Sequence, residues 1–184
     1  MVASLPRCTV TGPVRLFGKL PAHGDFVSRC WRADERDAID AWLSASLADA
    51  RTVHGAAFEE RFDSAPPWRC GLDLAEGGMS GALAASQDSV GRRFPIFVAV
   101  TGAADAAVAE ACEGLLYDAI AGGWTADALV ERAERLSVAR GMAARSCRWW
   151  TLGGEGFAPG ERTAAYPADL IAAMLTPGTS AVAS

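Results

Sequence analysis

Apolar positions along the chain fall first into short extended runs and then into helical stripes. Val14 to Lys19 is a β-branched and aromatic run closed by Leu20-Pro21, and the residue before a proline is pushed toward extended geometry, so this predicts a first strand. From Asp34 to Arg51 the period lengthens: Ala38, Ile39, Trp42, Leu43, Ala45 and Leu47 share one face of a helix, which Asp34 is placed to cap and Gly55 to follow. Trp68 to Leu74, Ser80 to Ser86 and Phe94 to Thr101 are again short runs, punctuated by Gly77-Gly78 and Val90-Gly91, a spacing that suits an antiparallel meander. The last of these is nearly all apolar and is expected to be covered on both faces, with Pro95 at its beginning.

Two helical stripes follow. Asp105 to Ala121 turns Val108, Ala111, Cys112, Leu115, Leu116 and Ala119 inward and stops at Gly122-Gly123; Thr125 opens a second helix, expected to reach Arg140 before Gly141. Arg145 to Thr151 reads as a strand, and Pro167 begins a last helix through Leu175, because a missing N–H is harmless in a first turn. The order β-α-β-β-β-α-α-β-α predicts an α/β domain over residues 13–176 with a mixed sheet between helix layers. Residues 1–12 and 177–184 are read as loose tails.

Composition changes this picture little. Hydrophobic residues make up 51% and charged residues 21% of 184, ordinary for a globular chain, with Lys nearly absent among the 17 basic residues. The net charge of -5 comes from dispersed carboxylates, and no basic run interleaved with aromatics points to nucleic acid. No apolar stretch has the length of a secretory signal or a membrane span. The five cysteines, Cys8, Cys30, Cys70, Cys112 and Cys147, lack C-x-x-C spacing, so reduced thiols in a cytoplasm are expected.

Three pieces of catalytic chemistry can be weighed. Gly12 and Gly18-Lys19 are spaced one residue too long for a phosphate loop, Leu20 replaces the magnesium-binding hydroxyl, and Pro21 stands where a helix should begin. Ser80, in Gly78-Met79-Ser80-Gly81-Ala82, starts a strand, and both histidines, His23 and His54, precede it, against the Ser-acid-His order of a nucleophile elbow. His23, Asp25 and Cys30 lack the further ligands that a zinc site needs. No catalytic or metal-binding residue and no cofactor follows from these patterns. An enzyme remains the alternative reading, a hydrolase or phosphate-ester binder using Lys19 to Asp25 with Arg92 as an anion clamp.

The more informative strings are two polar loops bordered by apolar residues. In the first, Gly18-Lys19-Leu20-Pro21-Ala22-His23-Gly24-Asp25-Phe26, Pro21 fixes φ, Phe26 anchors, and Gly24 is expected at positive φ in a tight turn. In the second, Asp88, Gly91, Arg92 and Arg93 precede Phe94-Pro95; one arginine should point inward, and Arg92 is expected to pair with Asp88 or Asp25. Trp149 and Trp150 should face opposite sides of the sheet, both buried.

These loops, together with Pro67-Trp68-Arg69 and with Ser146 followed by Trp149-Trp150-Thr151, make the chain resemble the TagF (ImpM) family of type VI secretion-associated proteins. The ordered strings run from Val14 to Thr151, whereas Ser137 to Arg145 carries no matching motif. The resemblance implies a three-layer α/β/α sandwich around a largely antiparallel sheet. It further implies a non-catalytic cytoplasmic accessory protein that represses type VI secretion after translation by binding a secretion component such as the forkhead-associated (FHA) scaffold protein. Oligomeric state is left open.

Overall fold

Strand β5 (Ile96–Thr101) sets the architecture, because alternate residues of a strand face opposite sides and all but the last of its residues are buried. In the computed structural model, which describes residues 13–74, 77–102, 104–136 and 146–178, Ile96, Val98 and Val100 face one core and Phe97 and Ala99 the other. On one side of β5 lies β1 (Val14–Gly18), which pairs outward with β2 (Val27–Arg29). On the other side run β4 (Gly77–Ala84), β3 (Trp68–Leu74), β6 (Arg148–Thr151) and β7 (Gly160–Arg162). The seven-stranded order is β2-β1-β5-β4-β3-β6-β7. All these pairings are antiparallel, so the expected largely antiparallel sheet contains no parallel pair.

Helices cover both faces. α1 (Ala33–His54), α2 (Phe58–Ser64) and α5 (Leu170–Met174) close the core of Phe17, Leu43, Phe62, Trp68, Phe97, Trp149 and Ile171. α3 (Ala106–Gly122) and α4 (Ala126–Ala133) close that of Leu16, Ile96, Val98, Cys112, Leu116 and Leu129. The result is the three-layer sandwich. Each fully buried Leu, Ile or Phe contributes about 1.5–3 kcal/mol, so the all-apolar stretch of β5 buttresses both layers at once.

Helix boundaries follow local chemistry. Asp105 Oδ1 accepts from the N–H of Ala107 at 2.8 Å, α3 ends on left-handed Gly123, and Thr125 Oγ1 caps α4 through the N–H of Ala128 at 3.3 Å. α1 starts one residue before Asp34; Arg32 is its N-cap, and Glu35 Oε2 accepts the Arg32 N–H at 2.9 Å, one half of a capping box. α4 stops at Ala133, short of the expected Arg140, and β6 starts at Arg148; residues 137–145 lie outside those described. α5 is shorter than expected, since Pro167 opens a turn three residues ahead of it.

Cys70, Cys112 and Cys147 are free, as expected, but Cys30 is disulfide-bonded, a correction to the reduced-thiol reading. Burial pushes the Cys112 thiol up to about 12 and raises that of Cys70 well above the ordinary range, so both stay protonated at neutral pH. Among the described residues no helix is long and apolar enough to cross a membrane.

Candidate functional site

The two polar loops meet at one carboxylate. Asp88 has a fully buried side chain, and its Oδ2 accepts from Lys19 Nζ at 2.9 Å and from Arg92 Nε at 2.7 Å. Its Oδ1 accepts from the backbone N–H groups of Arg92 at 2.9 Å and Val90 at 3.1 Å. Burial alone would raise the Asp88 carboxyl, but Lys19, Arg92 and the Val90 N–H outweigh it and hold the group well below the usual carboxylate range.

Further bonds join the loops. Arg92 Nη2 donates to the Gly24 carbonyl at 2.7 Å, and the Ser89 N–H donates to the His23 carbonyl at 2.8 Å. His23 Nε2 accepts from the Ala126 N–H at 2.9 Å, so the neutral ring carries its proton on Nδ1 and ties the first loop to the start of α4. Asp25 does not reach Arg92; its Oδ1 accepts from the Phe26 N–H at 2.8 Å.

The charge that turns inward is Lys19, whose side chain is 8% exposed, and not the expected arginine. Arg92 pairs with Asp88 as expected yet is 60% exposed on its side chain, and Arg93 forks onto Asp63 with both bonds at 2.7 Å. Gly24 is also corrected: it is not among the glycines at positive φ, and a Cβ there would meet Ser89 Oγ at an ordinary 3.5 Å. The backbone demand falls on Gly18, at φ +135° with its Cα against the Pro95 carbonyl, and on Gly91, at φ +82° in the Asp88 to Arg92 turn.

Around this junction Phe17, Phe26 and Phe94 stack in a trio, with Phe26 and Phe94 edge to face at 4.7 Å. Lys19 Nζ lies 4.9 Å from the Phe26 ring centre. Beside them opens a concavity of about 560 Å³ lined by Lys19, Phe26, Leu47, Arg51, Arg92 and Phe94 among others. Pro21 instead borders a second hollow with Phe62, Asp63 and Gln87. Arg51 belongs to the last turn of α1, and nothing in its sequence context separates it from other helix-end arginines.

Trp68, Arg69, Trp149 and Trp150 lie apart, on β3 and β6, separated from β1 by β5 and β4. Trp149 is buried against Trp42 and Phe97, its Nε1 donating to the Ala165 carbonyl at 3.0 Å. Trp150 faces the opposite layer but is only half-buried, with the Arg148 guanidinium 5.0 Å from its ring centre. Arg69 donates to Glu113 at 2.7 Å and approaches Glu110 at 3.4 Å, pinning α3 to β3. Trp68, Arg69 and Trp149 thus join the sheet to the helices that cover it.

Chemically, the loop junction is a knot of mutual hydrogen bonds: Nζ of Lys19, Nε2 of His23 and both oxygens of Asp88 already have partners within the chain. Ser80 lies within β4, fully buried, where it accepts from the Asp105 N–H at 2.7 Å. Among the described residues no group of three or more His, Cys, Asp or Glu side chains could hold a metal ion.

Residues 15–136 match the family described as TagF N-terminal domain, type VI secretion system-associated. The crystal structure of PA0076 from Pseudomonas aeruginosa PAO1 is similar in fold, with a TM-score of 0.74 and 23% identity, covering 89% of this chain and 94% of that one. No curated protein sequence matches.

Proposed function

Since the chain belongs to the TagF N-terminal domain family of type VI secretion-associated proteins, we propose that it is a non-catalytic regulator, restraining secretion after translation by binding a component of the apparatus. The partner we assign is the FHA-domain scaffold protein, and the compartment the cytoplasm. The observation that carries this reading is the Asp88 junction: Lys19, His23 and Arg92, the groups an enzyme would need, are engaged in holding two loops together. A base or nucleophile must be free to exchange partners with substrate. The Cys30 disulfide pulls against a reducing compartment.

The test is made in cells that carry a type VI apparatus. Tagged protein should co-purify with the scaffold, and excess protein should lower secretion of the apparatus's effectors without lowering their synthesis. Recovery of no secretion component would overturn the proposal. So would turnover of a nucleotide, phosphopeptide or ester by the pure protein that is lost in His23→Ala or Asp25→Ala.

A further inference from the structure

The groove beside the junction is basic in a chain of net charge -5. Four cations line it, Lys19, Arg51, Arg92 and Arg93, against the single carboxylate of Glu59. The chain's own acids account for three of those cations: Asp88 for Lys19 and Arg92, and Asp63 with Glu59 for Arg93. Arg51 has no carboxylate partner among the described residues; its guanidinium lies over the Phe58 ring at 5.1 Å, exposed. Arg92 likewise keeps an exposed edge, since its bonds use Nε and Nη2.

The rest of the lining is apolar where it is deep. Leu47 and Phe94 are buried, and Phe26, a phenylalanine 46% exposed, stands at the margin with its ring packed on Phe94. A compact multivalent anion would find little here, because only one guanidinium is unmatched. A peptide segment that sets carboxylates beside an apolar side chain uses Arg51, the open edge of Arg92 and the Phe26–Leu47–Phe94 floor together. Such complementarity steers encounter and excludes basic competitors, and aromatic side chains, phenylalanine included, and arginine are enriched at protein interfaces.

We propose that this groove is the docking site for an acidic, leucine-like segment of the protein partner. The inference rests on the regulator reading above and names the face that reading leaves open. The probe is a fluorescein-labelled peptide of alternating glutamate and leucine, with lysine for glutamate in the control, measured by anisotropy against the full chain. The acidic peptide should bind, more weakly as salt rises, and Arg51→Glu should weaken it at least tenfold with an unchanged urea midpoint. Arg132→Glu, an exposed arginine of α4 in the opposite layer, should bind as the parent does.

Equal binding of the two peptides, or an unaltered affinity in Arg51→Glu, overturns the proposal. So does a parent homodimer that Arg51→Glu dissociates in sedimentation while no peptide binds, since the occupant would then be a second copy. Co-purification separates the two readings. If parent and Arg51→Glu both retain the scaffold, the groove is wrong and the regulator stands; if the acidic peptide binds at Arg51 but the parent recovers no secretion component, the reverse holds.

Discussion

Asp88→Ala is expected to destabilise the fold more than any other single charge removal. It leaves the Lys19 ammonium, 6% exposed as a residue, without its counter-charge, and an uncompensated buried charge costs about 3–5 kcal/mol. The same substitution releases the Arg92 guanidinium and orphans the N–H groups of Val90 and Arg92. Lys19→Met should cost less, because Arg92 still faces the carboxylate and the methionine stem refills the space. Urea unfolding at constant m-value measures both; a midpoint for Asp88→Ala within error of the parent's would refute the junction's structural role. Acid supplies an independent check. The Asp88 carboxyl is held below its unfolded value, so its stabilisation is complete above about pH 4. It is lost as pH falls further, toward the depressed folded value. Asp88→Asn should therefore show a flatter decline in stability below pH 4 than the parent, and parallel declines would mean that another carboxylate governs acid unfolding.

Gly18→Ala is expected to be nearly as damaging, for reasons of backbone alone. At φ +135° an added Cβ is strained, which costs on the order of 1–3 kcal/mol. It would also stand 2.1 Å from the Pro95 carbonyl oxygen and 2.8 Å from the Ile96 Cα, and backbone cannot rotate away as a side chain can. Relief would separate β1 from β5 at the Gly18↔Ile96 register, and with it the first loop from the second. A combined loss of about 3 kcal/mol or more, roughly 6–12 °C in melting temperature for a domain of this length, should follow. Gly24→Ala is the comparison, since its Cβ meets only an ordinary contact; it should stay within about 0.5 kcal/mol of the parent. Equal losses from the two substitutions would show that the loop's shape is not set at Gly18.

The elements legible in the sequence are those whose periodicity is reinforced by punctuation. α3 carries its stripe between an aspartate cap and a glycine pair, and β5 is too continuously apolar to lie anywhere but the middle of the sandwich. β2 and β7 were not legible because three residues at a sheet edge are too few to show a period, even with Val27 of β2 buried. α2 left a trace, Phe58 and Phe62 one turn apart with both rings buried, but Gly55 and the prolines at 66 and 67 made the stretch resemble a connection. At the site, the Asp88–Arg92 pair is readable from four residues' separation. Lys19–Asp88 spans 69 residues, and only the β1–β5 pairing brings it about. The groove is less legible still, because Arg51 reaches it from a helix whose periodicity describes only its inner face.

Lys19 is also the only lysine in the sequence. The chain therefore carries a single ε-amine, and the native state seals it in an ion pair. Acylating reagents that attack neutral amines can reach it only through an opening that parts the two loops, so the rate at which Lys19 is acylated reports the frequency of that opening, as amide exchange does for a buried strand. A partner that grips the loops would slow the reaction, and one that prises them apart would speed it. One ε-amine among 184 residues, read separately from the terminal α-amine, thus serves as a native clock for the junction.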